Sequence, residues 1–245
     1  MQCACKTNIK GGGKLQNALI RTENLTKTFI LGKEKVTALN DVSISVEKGC
    51  ICAVLGTSGS GKSTLLNMLA GLERPTAGAV YIGRHRIDKM TERELTLFRQ
   101  RFTGFVFQSY NLIPSLTALE NVAMPLMFRG VGKEEREARA LEMLRLVGLE
   151  NRKDHRPGEM SGGQQQRAGI ARAFVTRPQV IFADEPTGNL DSETTRSVME
   201  LSRSLVRENN GTMILVTHDN SVAAYADKII EITDGKITKE TEVNK

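Results

Sequence analysis

At 245 residues, 40% apolar and 25% charged, the chain has the length of one large domain or two small ones and buries about 70–75% of its unfolded surface. This composition excludes a disordered or fibrous polypeptide, and no run is long and apolar enough to be expected to cross a bilayer. The 34 Lys and Arg against 28 Asp and Glu form no dense basic run, so they read as solvated surface and no nucleic-acid partner is expected.

Residues 1–17 are polar, carry Gly11-Gly12-Gly13 and lack the apolar core of a signal peptide. They read as a flexible leader, with residue 18 at its end, on a chain expected to stay in the cytosol. Segments 19–21, 27–31, 36–39 and 42–46 are then strand-like, with turn signals at 32–35 and at Asn40-Asp41, which predicts an antiparallel β layer. Within it Phe29 is either core or a ring face for a flat ligand. Cys3, Cys5, Cys50 and Cys52 could in principle hold zinc. Cys50 and Cys52, however, lie at period two beside and within the apolar run 51–55, where they behave as small apolar residues of a buried strand.

That strand runs into Gly56-Thr57-Ser58-Gly59-Ser60-Gly61-Lys62-Ser63-Thr64, followed by a helical pattern over 65–70. Strand, glycine-rich loop and helix form the setting in which G-x-x-x-x-G-K-[ST] holds phosphate. Successive N–H groups turn onto the anion and the helix N-terminus adds partial positive charge. Lys62 is placed for the terminal phosphates, and the Ser63 hydroxyl for a magnesium ion.

After a break at Pro75 come a hairpin over 79–87, a helix over 91–101 and a strand over 104–107 ending at Gln108, whose neutral amide suits a movable contact to metal or water. From 111 to 150 the pattern turns helical, with a helix over 117–128 interrupted at Pro125 and another over 133–147 stopped by Gly148. Such a block between two stretches of α/β pattern reads as an inserted helical subdomain that carries partner contacts.

Ser161-Gly162-Gly163-Gln164 is a capping-box pattern opening a helix that lasts until Pro178. Two glycines in a first turn weaken a helix by about 1 kcal/mol each, so something must approach that backbone closely. Its bare amides and serine hydroxyl offer a second phosphate surface. The strand 180–183 ends in Asp184-Glu185, where α/β folds place their ligands: Asp184 suits magnesium, and Glu185 a water attacking phosphate. Asp191 precedes a helix over 193–208, and the strand 213–217 ends at His218. A final hairpin over 228–237 turns at Asp234-Gly235, and a polar tail is expected over 239–245.

Together Gly56 to Thr64, Gln108, Ser161-Gly162-Gly163-Gln164, Asp184-Glu185, Asp191 and His218 resemble the ordered motif set of an ATP-binding-cassette (ABC) ATPase domain, over about residues 19–238. Phe105 to Pro114, Leu116 to Val122 and Ala183 to Asp191 are similar to the MacB, LolD and FtsE group. The resemblance implies a P-loop NTPase (RecA-like) α/β core with an N-terminal antiparallel β layer and an inserted α-helical subdomain at about 111–178. It implies ATP and Mg2+ as ligands, and two copies packed head to tail with ATP between the phosphate loop of one and the signature helix of the other. Lys62, Ser63, Gln108 and Asp184 would act in cis, with Ser161 and Gly163 on the partner's γ-phosphate. Glu185 would be the general base, His218 the γ-phosphate sensor, Phe29 the adenine-stacking ring and Asp191 the link between sites. Met160 stands where the family usually has leucine, and Phe29 where it usually has tyrosine. A separate integral-membrane permease is implied as partner, with the chain on the cytoplasmic face of the cell membrane and the role either export or mechanotransmission. The alternatives are a soluble cassette ATPase with a non-membrane partner and a binding module that does not hydrolyse ATP.

Overall fold

The computed structural model describes residues 18–32 and 34–243, so the expected leader and its Cys3 and Cys5 lie outside the described residues. β1 (Ala18–Leu31) pairs antiparallel with β2 (Glu34–Val42) and β3 (Ser45–Glu47). β4 (Ile51–Leu55) and α1 (Lys62–Leu69) follow, and β5 (Ala77–Ile82) with β6 (His85–Arg86) returns to the first sheet, ordered β2-β1-β5-β6. α2 (Glu92–Phe102), β7 (Thr103–Phe107), α3 (Ala118–Phe128), α4 (Lys133–Leu146) and α5 (Gly162–Phe174) come next. The chain ends with β8 (Val180–Asp184), α6 (Ser192–Glu208), β9 (Thr212–Thr217), the short α7 (Asn220–Ala223), β10 (Lys228–Thr233) and β11 (Lys236–Glu242). The second sheet is ordered β11-β10-β4-β9-β8-β7, parallel except for β11.

The central strands read as unbroken apolar runs because both their faces are covered. Ile51, Ala53, Ile181, Ala183, Met213 and Leu215 face a core shared with α3 to α6. Their neighbours Cys52, Val54, Val180, Phe182, Ile214 and Val216 face a core shared with α1 and the antiparallel layer. In that second core Cys50 and Cys52 are buried, and desolvation pushes the Cys52 thiol up to about 12.

Three expectations are corrected. Asn40-Asp41 is no turn, since β2 continues to Val42. Asp41 has φ 57° and the β1–β2 register slips between Leu25 and Thr28, so a left-handed residue makes a bulge where the same tolerance had suggested a turn. α3 passes through Pro125 unbroken. The Thr117–Glu120 capping box and buried Val122, Ala123 and Leu126 outweigh one missing N–H. Residues 239–242 belong to β11, with Lys228 paired to Glu240 at 2.6 Å and Lys239 to Glu231 at 3.5 Å. An edge strand with charged side chains looks like a tail in sequence.

Candidate functional site

The register of the parallel sheet gathers the candidates at one edge. Phe107, Asp184, Val216 and Val54 lie in one row across β7, β8, β9 and β4. Gln108, Glu185, His218 and Gly56 therefore emerge together from the strands' carboxyl ends, where open α/β sheets bind ligands.

The loop 56–64 is shaped by close packing against β2. Gly61 has φ +100°, and a Cβ there would stand 2.4 Å from the Ala38 carbonyl oxygen, so glycine is required on both counts. Thr57, Ser58 and Gly59 are exposed, while Ser60 is buried with its Oγ lacking a partner among the described residues. Lys62 is only 5% exposed and donates to the Thr57 carbonyl at 2.7 Å. An ammonium so buried, with donors left over, fits an anion held in the loop. Thr64 lies within the first turn of α1.

The Ser63 hydroxyl donates to Asp184 at 3.2 Å, which sets two hard oxygen ligands side by side in a manner that fits magnesium. Among the described residues no cluster of three or more His, Cys, Asp or Glu is placed to hold a metal ion. The pair thus relies on hydroxyl, amide, water and phosphate for the remaining ligands. Gln108 approaches this corner beside Gly188, where an added Cβ would stand 2.7 Å from its Nε2. Glu185 follows with φ 43° and Oε1 3.2 Å from His218 Nδ1.

Burial, reinforced by the neighbouring Glu185 charge, raises the Asp184 carboxyl above its usual range, against the Ser63 hydrogen bond and Lys62. A carboxyl with a raised folded value is fully costly once ionised above that value, and costs nothing below its unfolded value. At neutral pH, without nucleotide, Asp184→Asn should therefore melt higher by on the order of 2 °C while losing metal-dependent nucleotide binding. An unchanged or lower melting temperature in a thermal scan would show that ionised Asp184 is not strained.

The signature residues form a separate depression. Ser161 caps α5 through a capping box with Gln164, its Oγ accepting from Gln164 N at 3.3 Å and Gln164 Oε1 accepting from Ser161 N at 3.0 Å. Ser161, Gly162, Gly163, Gln164, Asn189 and Asp191 border a groove of about 480 Å³. Asp191 caps α6 by accepting from Glu193 N at 3.0 Å and Thr194 N at 2.9 Å, and the bond it accepts from the Thr194 hydroxyl, together with these backbone bonds, holds its carboxyl below the usual range. The two costly glycines do meet close neighbours. A Cβ on Gly162 would lie 2.7 Å from the Tyr110 hydroxyl, and one on Gly163 2.6 Å from Thr194 Cγ2. Phe29 lies on β1, with Lys27 Nζ 4.9 Å over its ring.

Sequence reasoning missed Tyr110, Arg172 and Thr194. Thr194 was open to discovery as the third residue after a capping aspartate, and Arg172 as a charge on an apolar helical stripe, whereas Tyr110 carried no signal.

The family model described as "ABC transporter" matches residues 39–188. The chain belongs to the ABC transporter family. This cassette is 45% identical over 229 residues to an uncharacterised ABC transporter ATP-binding protein, MJ0796, of Methanocaldococcus jannaschii, covering 92% of this chain and 97% of the relative. It is 44% identical to the lipoprotein-releasing system ATP-binding protein LolD of Chromohalobacter salexigens, covering 91% and 94%. It is 46% identical to the macrolide export ATP-binding/permease protein MacB of Neisseria gonorrhoeae, covering 93% of this cassette but 35% of that protein. A solved dimeric structure of a post-hydrolysis state of MJ0796, bound to ADP and Pi, superposes with a TM-score of 0.86 at 44% identity, covering 92% and 99%.

Proposed function

We propose that this chain is the ATP-binding and ATP-hydrolysing subunit of a membrane ABC transporter of the MacB/LolD type, paired with a second copy of itself and driving export or mechanotransmission through a separate permease. The observation that carries the reading is the division of the site. The start of the phosphate loop, Gly56 to Ser58, lines one part of the surface with Glu185 and His218, and the Ser161 to Gly163 turn lines another. Each is half of a phosphate cradle, and a relative of this size and sequence is solved as a dimer with ADP and Pi. Residues 19–238 make the ATPase domain, with the helical subdomain at about 111–178.

In this assignment Phe29 stacks on adenine, residues 56–64 donate N–H groups to the phosphates, and Lys62 exchanges its Thr57 carbonyl for a phosphate oxygen. Ser63, Asp184 and Gln108 hold a magnesium ion, which when bound neutralises charge on the phosphate oxygens. Glu185 accepts the proton of the attacking water, and His218, with Nδ1 3.2 Å from Glu185 Oε1, senses the γ-phosphate beside it. The partner's Ser161 hydroxyl and Gly163 amide grip the γ-phosphate from the other side. ATP then acts as a ligand of the closed pair, and its cleavage removes the group both halves share.

A membrane partner is supported by a cleft of about 650 Å³ between α2, β7 and α3, bordered by Leu72, Leu97, Phe105, Met124, Pro125 and Phe128. Leu72, Leu97 and Phe128 are 52%, 44% and 62% exposed there, a contiguous apolar surface that calls for cover. Among the described residues no helix is long and apolar enough to cross a membrane, so this reading places the cassette peripherally on the cytoplasmic face, held by the permease. Light scattering with Mg2+ and a non-cleavable ATP analogue should show a dimer that disperses on washing the analogue out. A protein that stays monomeric at high concentration, with and without a copurified multi-span partner, overturns the reading.

A further inference from the structure

Gln108 is carried by a bend that costs energy. Tyr110 and Asn111, just beyond it, both hold left-handed backbones, with φ of 61° and 48°, which residues other than glycine adopt only against a penalty. The bend closes through Tyr110 N–H to the Phe107 carbonyl at 3.2 Å and Asn111 N–H to the Ser109 carbonyl at 2.6 Å. What holds it from outside comes from the signature helix. Arg172, 8% exposed on α5, donates from Nη2 to the Tyr110 carbonyl at 2.9 Å and from Nη1 to the Asn111 carbonyl. Burial lowers its pKa with no carboxylate offsetting the shift among the described residues, so the guanidinium is devoted to these two carbonyls.

The Tyr110 side chain lies along the same helix. Its carbonyl would be 3.6 Å from a Cβ on Gly169, and its hydroxyl 2.7 Å from a Cβ on Gly162. Those two glycines are two turns apart on one helical face, about 10.5 Å. Tyr110 therefore reaches from the middle of α5, where Arg172 pins its backbone, to the first turn, which Ser161 caps. Any side chain at Gly162 would displace it.

We propose that Tyr110, anchored by Arg172, is a positioning residue that ties Gln108 of one ATP site to the Ser161–Gly163 turn serving the other. The inference rests on the two-site reading above. The loop cannot rearrange around phosphate and metal without shifting the tyrosine, and the tyrosine cannot shift without moving against the signature turn of its own chain. ATP in the cis loop thereby readies the surface that the second copy's ATP will meet.

The test uses the full chain with Glu185→Gln, in which two constants are measured separately. One is the ATP affinity of the monomer, titrated at high dilution, and the other is the ATP-driven dimer constant from light scattering. Tyr110→Ala should weaken dimerisation on the order of tenfold while changing monomer affinity by less than about twofold. Tyr110→Phe keeps the ring and the pinned carbonyl and should retain most of the dimer, and Arg172→Lys, with a single point donor, should fall between the two. A normal dimer constant in Tyr110→Ala overturns the strut, and so does a joint fall of both constants with the melting temperature, which marks general damage. If Tyr110→Ala does not fold, Arg172→Lys decides by the same comparison. If the Glu185→Gln parent fails to dimerise with ATP, the two-site reading falls first and takes the strut with it.

Discussion

Glu185→Gln should lower ATP turnover by about 10²–10⁴ while leaving ATP binding intact. The carboxylate sits one residue past β8, with 22% of its side chain exposed, and its backbone N–H donates to the Val216 carbonyl at 3.0 Å. Its left-handed backbone is fixed on the other side by Gly188 N–H to its own carbonyl at 3.1 Å. The side chain is thus aimed by the fold, and glutamine keeps its shape and its contact with His218 but cannot take a proton from water. Lys62, Ser63 and Asp184 are untouched, so the phosphate cradle stays whole. Because the γ-phosphate persists, the closed pair should accumulate, with a gain that grows with ATP concentration over its dissociation constant. Phosphate release and equilibrium titration check the two halves separately, and unchanged turnover would remove Glu185 from the role of base.

Much of this site was legible because its residues sit at punctuation points. A strand buried on both faces must stop where the apolar run stops, so 51–55, 180–183 and 213–217 placed Gly56, Asp184, Glu185 and His218 at one edge before any coordinates. The capping pair Ser161 and Gln164 was equally readable, since an N-cap bond is local in sequence. Left-handed backbone in residues other than glycine was not. Asn40-Asp41 reads as a turn whether it makes one or a bulge, and nothing in Gln108-Ser109-Tyr110 announces that the tyrosine turns back along a helix fifty residues away. Gly162 and Gly163 do signal a close approach, but that approach includes two side chains of the same protein. That distinction needs the third dimension, because Thr194 and Tyr110 reach those glycines only through the fold.

Head-to-tail geometry makes a further demand that no single-site enzyme meets. Lys62→Ala removes the buried ammonium from the phosphate loop, and Ser161→Glu places an acid where the partner's γ-phosphate would lie. Neither change should unfold the chain. Among the described residues the Lys62 head makes one hydrogen bond, to the Thr57 carbonyl, and an exposed acid at the start of α5 suits the helix dipole. Each variant alone has two defective composite sites, and its turnover should fall by at least about 10². In a mixed pair the sound loop of one copy faces the sound signature turn of the other, so one of the two sites is whole. With random pairing about half the dimers are mixed, and turnover of an equal mixture should rise above either variant alone, to at most about a quarter of the parent's. Recovery of this kind requires the two halves of the site to come from different molecules. If each copy built its whole site from its own residues, mixing would give only the mean of two nearly silent preparations, and the division of the cradle between copies would be wrong.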